Sequence, residues 1–306
     1  MTAMTIDFNT AVEHHRRELH VHCYRMLGSF EEAEDALQEA LLRAWRGRDG
    51  FSGESGLRAW LYRIATNVCL DSLRARKRRP PASGEVPWLQ PYPDRLLDEL
   101  APSDEEPDAV VVARETIELT FMALIQLLPA RQRAVLILRD ILEWPAAETA
   151  EVLELSVAAV NSALQRARAT VRDALPERPA APVELSDDEQ RLLAGFIATH
   201  ESGDFDAAAA LMREDIRVTM PPYPGVFVGR ARVLELGATA RDMGEWRLVP
   251  TRANRMPAAA SYLRKPGSDD WVPFKLDVLR VADGEIAEVT TFDHTLWEQF
   301  GLPPAP

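Results

Sequence analysis

The chain has 306 residues, enough for two or three domains, with 46% hydrophobic residues and a net charge of −13. No apolar run is long enough to span a bilayer, and the N-terminus lacks the basic-then-apolar pattern of a secretory signal, which argues against a membrane-spanning or secreted protein. Strong acidity argues against a nucleic-acid partner only where it is uniform. Here residues 81–108 carry one basic residue against eight acidic ones, and the last third is acidic again, while residues 1–80 carry a small basic excess.

Residues 1–80 read as an all-helical unit. Leu19, Val21, Tyr24, Met26 and Leu27 belong to one helix that Gly28 and Ser29 end. A second helix spans Glu31–Arg46, with Ala33, Leu37, Ala40, Leu41 and Ala44 inward and an acidic first turn suited to the helix dipole. A third follows from Leu57 to about Arg76, with Trp60, Leu61, Ile64, Ala65, Val68 and Leu73 as its apolar stripe. Trp45 and Trp60 are expected in the core. Cys23 and Cys69 fall inside these helices and read as buried thiols of a cytoplasmic protein. His20, His22 and Cys23 cluster locally, yet no fourth zinc ligand is evident, so no metal is expected. Arg74, Arg76, Lys77, Arg78 and Arg79 form a basic cluster that suits phosphates; the alternative is a solvated helix end.

Residues 81–107 form an acidic, Pro-rich linker, interrupted by the apolar run Val86-Pro87-Trp88-Leu89-Gln90-Pro91-Tyr92-Pro93. That run is expected to anchor on a neighbouring domain. Helical patterning returns over 108–176, with a break at Leu128-Pro129. Within it, Trp144–Arg172 reads as two helices joined by a tight turn. Ser156 caps the second helix, Val157, Val160, Leu164 and Ala167 or Val171 face inward, and Ser156, Ala159, Asn161, Ser162, Gln165, Arg166 and Arg168 form the outward, DNA-facing set. Short polar groups that reach base edges, followed by guanidinium groups, suit a recognition helix in the major groove. A plain helical hairpin gives a similar pattern.

A second Pro-rich joint, 177–187, leads to an α+β unit over 188–306. Helical patterns at 186–200 and 204–213 precede strand-like runs at Ile216–Met220, Trp246–Thr251, Ala258–Leu263, Val272–Arg280 and Glu285–Phe292. Val272, Phe274, Leu276 and Val278 alternate, and Ala282-Asp283-Gly284 signals a hairpin turn.

Residues 14–79, with Ala33-Glu34-Asp35-Ala36-Leu37-Gln38-Glu39, Arg43-Ala44-Trp45, Ala59-Trp60-Leu61-Tyr62-Arg63-Ile64-Ala65 and Asn67, resemble region 2 of extracytoplasmic-function sigma factors. Residues 114–175, with Leu127-Leu128-Pro129, Gln132-Arg133, Val135 and the helix-turn-helix, resemble region 4 of the same family. The extension is similar to the SnoaL-like cone through Met220-Pro221-Pro222, Gly229-Arg230, Asp283-Gly284-Glu285-Ile286 and Thr291-Phe292-Asp293. The resemblance implies two all-α modules followed by an α+β cone. Its expected partners are core RNA polymerase and promoter DNA. Region 2 would dock on polymerase through Asp35, Gln38 and Glu39 and meet the opened minus-10 strand through Arg63, Asn67 and Arg74, while region 4 reads minus-35. Ala163 stands where the family often has a basic residue.

The expected function is promoter-directed initiation without bond-making chemistry or a cofactor, with the C-terminal domain modulating activity. The alternative is a small-molecule sensor or SnoaL-type enzyme with sigma-like modules as its output. A candidate pocket for an unidentified small ligand comprises Tyr223, Phe227, Trp246, Tyr262, Phe274 and Asp293, with Trp271, Phe292 and His294 near it. Asp277 could face either way along its strand.

Overall fold

A computed structural model describes residues 8–51, 56–75, 88–98, 117–174 and 184–306. The chain divides into two units, one built from residues 1–86 and 97–180, the other from 87–96 and 181–306. Within the helical unit, α1 (Phe8–Leu27), α2 (Phe30–Gly47) and α3 (Leu57–Ala75) pack mutually. Ser29 ends α1 and starts α2, its hydroxyl accepting from the Glu32 N–H at 3.2 Å. Leu19, Leu27, Leu37, Ala40, Leu61, Ala65 and Val68 fill the space between them. Glu18 ties α1 to α3 by accepting from Arg58 (2.9 Å) and Tyr62 (3.1 Å). Burial alone would raise the Glu18 pKa, but the His15 and Arg58 partners hold it below the ordinary value. Cys23 and Cys69 are both buried, as expected, and His22 Nε2 shares a 2.8 Å hydrogen bond with Thr66 Oγ1.

The short helix α4 (Asp94–Asp98) lies in the linker. Beyond it, α5 (Leu119–Gln126) and α6 (Ala130–Leu136) meet at the expected Leu128-Pro129 break. One π turn over Ile137–Ile141 extends α6, followed by α7 (Ala146–Leu153) and α8 (Val157–Ala174). The α7–α8 turn passes through Glu154 in the left-handed region (φ 54°), and Ser156 Oγ accepts from the Ala159 N–H at 3.2 Å to start α8.

In the second unit, α9 (Asp187–Ser202) and α10 (Phe205–Ala210) precede β1 (Met212–Met220). Then come β2 (Tyr223–Val228), α11 (Arg230–Arg241), β3 (Glu245–Ala253), β4 (Met256–Arg264), β5 (Val272–Ala282) and β6 (Glu285–Phe292). The sheet order is β2-β1-β6-β5-β4-β3, antiparallel except for the β1–β6 pair. Strand β2 and helix α11 were not foreseen. The hairpin at Asp283-Gly284 was: both residues take positive φ (55° and 76°), as a tight two-residue turn requires. The helices pack on one face of the sheet, where Leu192, Phe196, Met212, Ile216, Trp246, Leu263, Leu279 and Val289 form the core. Together they make the expected α+β cone.

Val86 and Pro87 of the linker's apolar run lie outside the described residues; from Trp88 on, the run belongs to this second unit. Tyr92 and Asn254 exchange two hydrogen bonds, Tyr92 N to Asn254 Oδ1 at 2.7 Å and Asn254 N to the Tyr92 carbonyl at 2.9 Å. Pro93 bridges to Ala253, and the buried Asp94 accepts from the Arg255 N–H at 2.8 Å with the Arg252 guanidinium 3.2 Å away. Arg95 donates to the carbonyls of Gln299 (2.6 Å) and Glu298 (3.2 Å). The linker segment is therefore a strap fastened along the C-terminal domain, which answers where its apolar bulk goes.

Candidate DNA- and polymerase-binding surfaces and the C-terminal cavity

Helix α8 buries one face against α6 and α7 through Val160, Ala163, Leu164 and Ala167. Val157, expected inside, is 44% exposed, because the buried face turns toward Ala163 instead. A basic residue at 163 would therefore point into the helix packing, which accounts for the alanine there. The opposite face presents Ser156, Asn161, Ser162, Gln165 and Arg166 to solvent, with Ala159 half-buried at its edge. Arg168 is exposed too, but Asp140 on the π turn grips its guanidinium in a two-bond fork at 2.6 and 2.8 Å. That hydrogen-bonded partner raises the Arg168 pKa. The extra residue of the π turn presents Asp140 across a 28-residue separation, which no local pattern announces.

Helix α3 carries Arg63 exposed and Asn67 half-buried, while Arg74 pairs with Asp71. Arg63 forms a 3.2 Å ion pair with Glu154, the residue at the helix-turn-helix corner. Arg76, Lys77 and Arg78 lie outside the described residues.

The two helical modules meet through buried polar groups as well. Arg133 of α6 is buried and donates to the Ile125 (2.8 Å), Gln126 (2.6 Å) and Leu128 (3.2 Å) carbonyls and to the Met26 carbonyl at the end of α1. Gln126 Nε2 donates to the Arg25 carbonyl at 2.9 Å. One guanidinium thus satisfies the exposed carbonyls of two helix ends. The Tyr62 and Trp144 rings pack 5.1 Å apart at the same junction.

On α2, Asp35 and Gln38 are exposed and Glu39 pairs with Arg43 at 2.7 Å. Two apolar residues continue that stripe: Leu42 and Trp45, the latter 45% exposed with the Arg48 guanidinium 4.1 Å over its ring. Trp45 was expected in the core. It falls outside because the buried stripe runs through Ala33, Leu37, Ala40 and Ala44, and one residue further turns about 100° away. Trp60 is half-buried among Phe8 and Phe51.

The C-terminal domain holds a half-open cavity of about 530 Å³ between its helices and sheet. Trp246, Phe274, Phe292 and Asp293 line it as expected, and Tyr223, 74% exposed, lies at its border. Phe227 packs on the core beside it, and His294 is exposed. Tyr262 is not in the cavity. It lies on the other side of β4, donating to the Pro303 carbonyl (2.6 Å) and accepting from Trp297 Nε1 (3.1 Å). The polar end of the cavity is instead made by Asp277, Lys275, Thr291 and His200. Lys275 Nζ and Thr291 Oγ1 each donate to the fully buried Asp277 carboxylate at 2.7 Å. Burial, and secondarily Lys275, push the His200 pKa down to about 4. A register shift between Ser261 and Tyr262 takes Phe274 out of phase, so Asp277 and Leu279, not Leu276 and Val278, share the inner face.

Comparisons with known proteins agree with this organisation. Residues 11–79 match the model of Sigma-70 region 2, and residues 118–171 match that of Sigma-70, region 4. The chain is 44% identical to the ECF RNA polymerase sigma factor SigG of Mycobacterium tuberculosis, over 97% of this chain and 84% of that protein. It is 34% identical to the ECF RNA polymerase sigma factor SigW of Bacillus subtilis, over 55% of this chain and 88% of that one. Among solved structures, that of the extracytoplasmic-function sigma factor SigJ of M. tuberculosis superposes with a TM-score of 0.64 at 23% identity, covering 97% of this chain and 99% of the other. Two sigma modules in order and near-full-length similarity lead to one conclusion: the chain belongs to the extracytoplasmic-function RNA polymerase sigma factors and directs polymerase to promoters.

Proposed function

We propose a division of labour among the described surfaces. The α8 face of Asn161, Ser162, Gln165 and Arg166 reads the minus-35 element. The outer face of α3, with Arg63, Asn67 and Arg74, meets the opened minus-10 strand. The α2 stripe of Asp35, Gln38, Glu39, Leu42 and Trp45 docks on core polymerase. An acidic margin around an exposed aromatic suits a basic partner helix: the ring supplies buried area and the carboxylates supply orientation. The protein acts where polymerase is, in the cytoplasm, and performs no bond chemistry itself. The observation that carries this reading is α8, whose far face is sealed by packing while a row of short polar groups and one guanidinium stays in solvent.

The closed junction of the two modules has a consequence for reach. Elements centred about 25 base pairs apart lie about 85 Å apart along B-DNA, at 3.4 Å per pair. A packed unit of this length spans roughly 40 Å. Engagement of both elements therefore requires α3 to part from α6 and α7, breaking the Arg63–Glu154 pair and the Arg133 contacts to α1. The strap favours the closed form, because the linker between the modules is held along the C-terminal domain. That domain then acts as a brake. Run-off transcription with core polymerase, comparing residues 1–306 with residues 1–182, tests this. More promoter-specific transcript from the shorter form is expected; equal yields would remove the regulatory role, and a lower yield would make the domain a brace.

A further inference from the structure

The proposed sigma surfaces leave the C-terminal domain's cavity unused, although it is a well-formed, half-open apolar pocket. Its walls are apolar: Phe196, Met212, Val218, Leu236, Trp246 and Phe274. Gly237 on α11 lets the Phe205 ring come so close that a Cβ there would sit 2.7 Å from it, so the helical wall is fixed at short range. At about 530 Å³ the space falls within the range of small-molecule sites and far above that of a packing defect. A cavity of this size kept only for stability would be costly, since each lost methyl-sized volume weakens a core.

The polar end adds chemical definition. Asp277 is fully buried, and its two oxygens are taken by Lys275 and Thr291 at 2.7 Å, so the carboxylate is neutralised in place. The Lys275 ammonium has further N–H donors, and it lies 5.7 Å from the Trp246 ring, on the cavity wall. His200 uses Nδ1 against the Phe196 carbonyl at 2.9 Å, which leaves Nε2 as a lone-pair acceptor. Its low pKa, set first by burial, keeps that ring uncharged at neutral pH. The cluster therefore offers one cationic donor and one neutral acceptor, and no net charge to attract an ion. Asp293, also lining the cavity, adds a carboxylate that disfavours anions.

We propose that this cavity is a binding site for a neutral, largely apolar small molecule whose carbonyl or hydroxyl oxygen is held by Lys275, with His200 accepting from a hydroxyl where one is present. The site serves recognition and does not depend on promoter binding, so its test is separate from any transcription assay.

The probe is prodan, 6-propionyl-2-dimethylaminonaphthalene, a neutral aromatic ketone whose emission shifts to the blue on leaving water. Titrated with the full chain at pH 7.5, it should show a saturable blue shift at one site per chain. Its anionic relative, 6-dimethylamino-2-naphthoate, should bind at least about tenfold more weakly. Leu236→Trp and, independently, Ala240→Phe fill the apolar wall and should each weaken prodan at least about tenfold, while circular dichroism shows the fold retained. Lys275→Met combined with Asp277→Asn removes the donor without leaving a lone buried charge, and should weaken prodan about tenfold, the worth of one charge-assisted hydrogen bond. No saturable shift with the wild-type chain, or unchanged affinity in both folded wall variants, would overturn the site. Wild-type affinity in the Lys275/Asp277 double variant, or tighter binding of the carboxylate, would overturn the chemical class proposed for its ligand.

Discussion

Helix α8 and strand β5 use the same kinds of residues in opposite ways. On α8 a sealed apolar face leaves Asn161, Gln165 and Arg166 in solvent, where a partner as large as a DNA duplex can reach them. On β5 the lysine and aspartate point inward and satisfy one another at the polar end of a cavity of small-molecule size. The first arrangement costs little, because water solvates the groups until the partner comes. The second is stable only because each buried charge has its partners. An outward polar row therefore suits recognition of a macromolecule, and an inward satisfied pair suits a defined pocket.

The largest effect expected from breaking this contrast lies at the module junction. Arg133→Met would leave carbonyls at the ends of α1 and α5 without their shared donor, and should destabilise the helical unit by at least about 3 kcal/mol. A thermal-melt midpoint within a degree or two of wild type would show that the guanidinium is dispensable. Next comes the strap. Asp94→Ala removes the carboxylate between Arg252 and Arg255 and leaves the Arg255 guanidinium nearly buried beside an empty place, a loss of about 3 kcal/mol. Limited proteolysis should then cut near residues 88–96 faster than in wild type. Trp45→Ala on α2 should weaken binding to core polymerase by about 30-fold, roughly 2 kcal/mol, with stability hardly changed, since its ring is half exposed. Equal affinity in a direct polymerase-binding measurement would remove Trp45 from that surface.

A smaller and more gradual effect is set by buried histidines. Burial drives His20 down to about 4 and His22 to about 3, from an ordinary 6.5. The unfolded chain therefore binds these protons at a higher pH than the folded chain does. Their contribution to stability is complete above about pH 6.5 and declines as pH falls toward 4 and 3. At pH 5, unfolding of the helical unit should take up ~2 protons from these sites. Urea midpoints that do not decline between pH 7 and 5 would contradict this.

The helical half was the more legible in sequence. Helical periodicity, the Gly28-Ser29 stop, the Ser156 cap and the Leu128-Pro129 break located the end of α1, both ends of α2 and α3, and the start of α8 within a residue or two. What failed there was rotation: Val157 and Trp45 came out of the core because a stripe one residue wide cannot be read from a pattern that tolerates several. Arg168 lies on the exposed face as read, but its Asp140 partner depends on a π turn with no local signature. In the C-terminal half, the alternation of Val272, Phe274, Leu276 and Val278 suggested one inner face. A bulge changes the phase at Phe274, and residues 296–303 cover the opposite side of β4, so both faces are apolar and alternation loses its meaning. Asp277 and Lys275 thus went unassigned, and Tyr262 was placed in a cavity it does not touch. The short strand β2 has exposed and half-buried residues only, which leaves little apolar pattern to find.

The most direct test of the account is run-off transcription with core polymerase on a promoter that the full chain selects from a template pool, comparing wild type with Asn161→Ala/Gln165→Ala/Arg166→Ala. Three lost contacts to bases or phosphates, each worth about 1–3 kcal/mol, predict at least a 100-fold loss of the specific transcript. Binding of core polymerase should be unchanged. Undiminished, promoter-specific transcription by the triple variant would contradict the assignment of α8 as the reading helix.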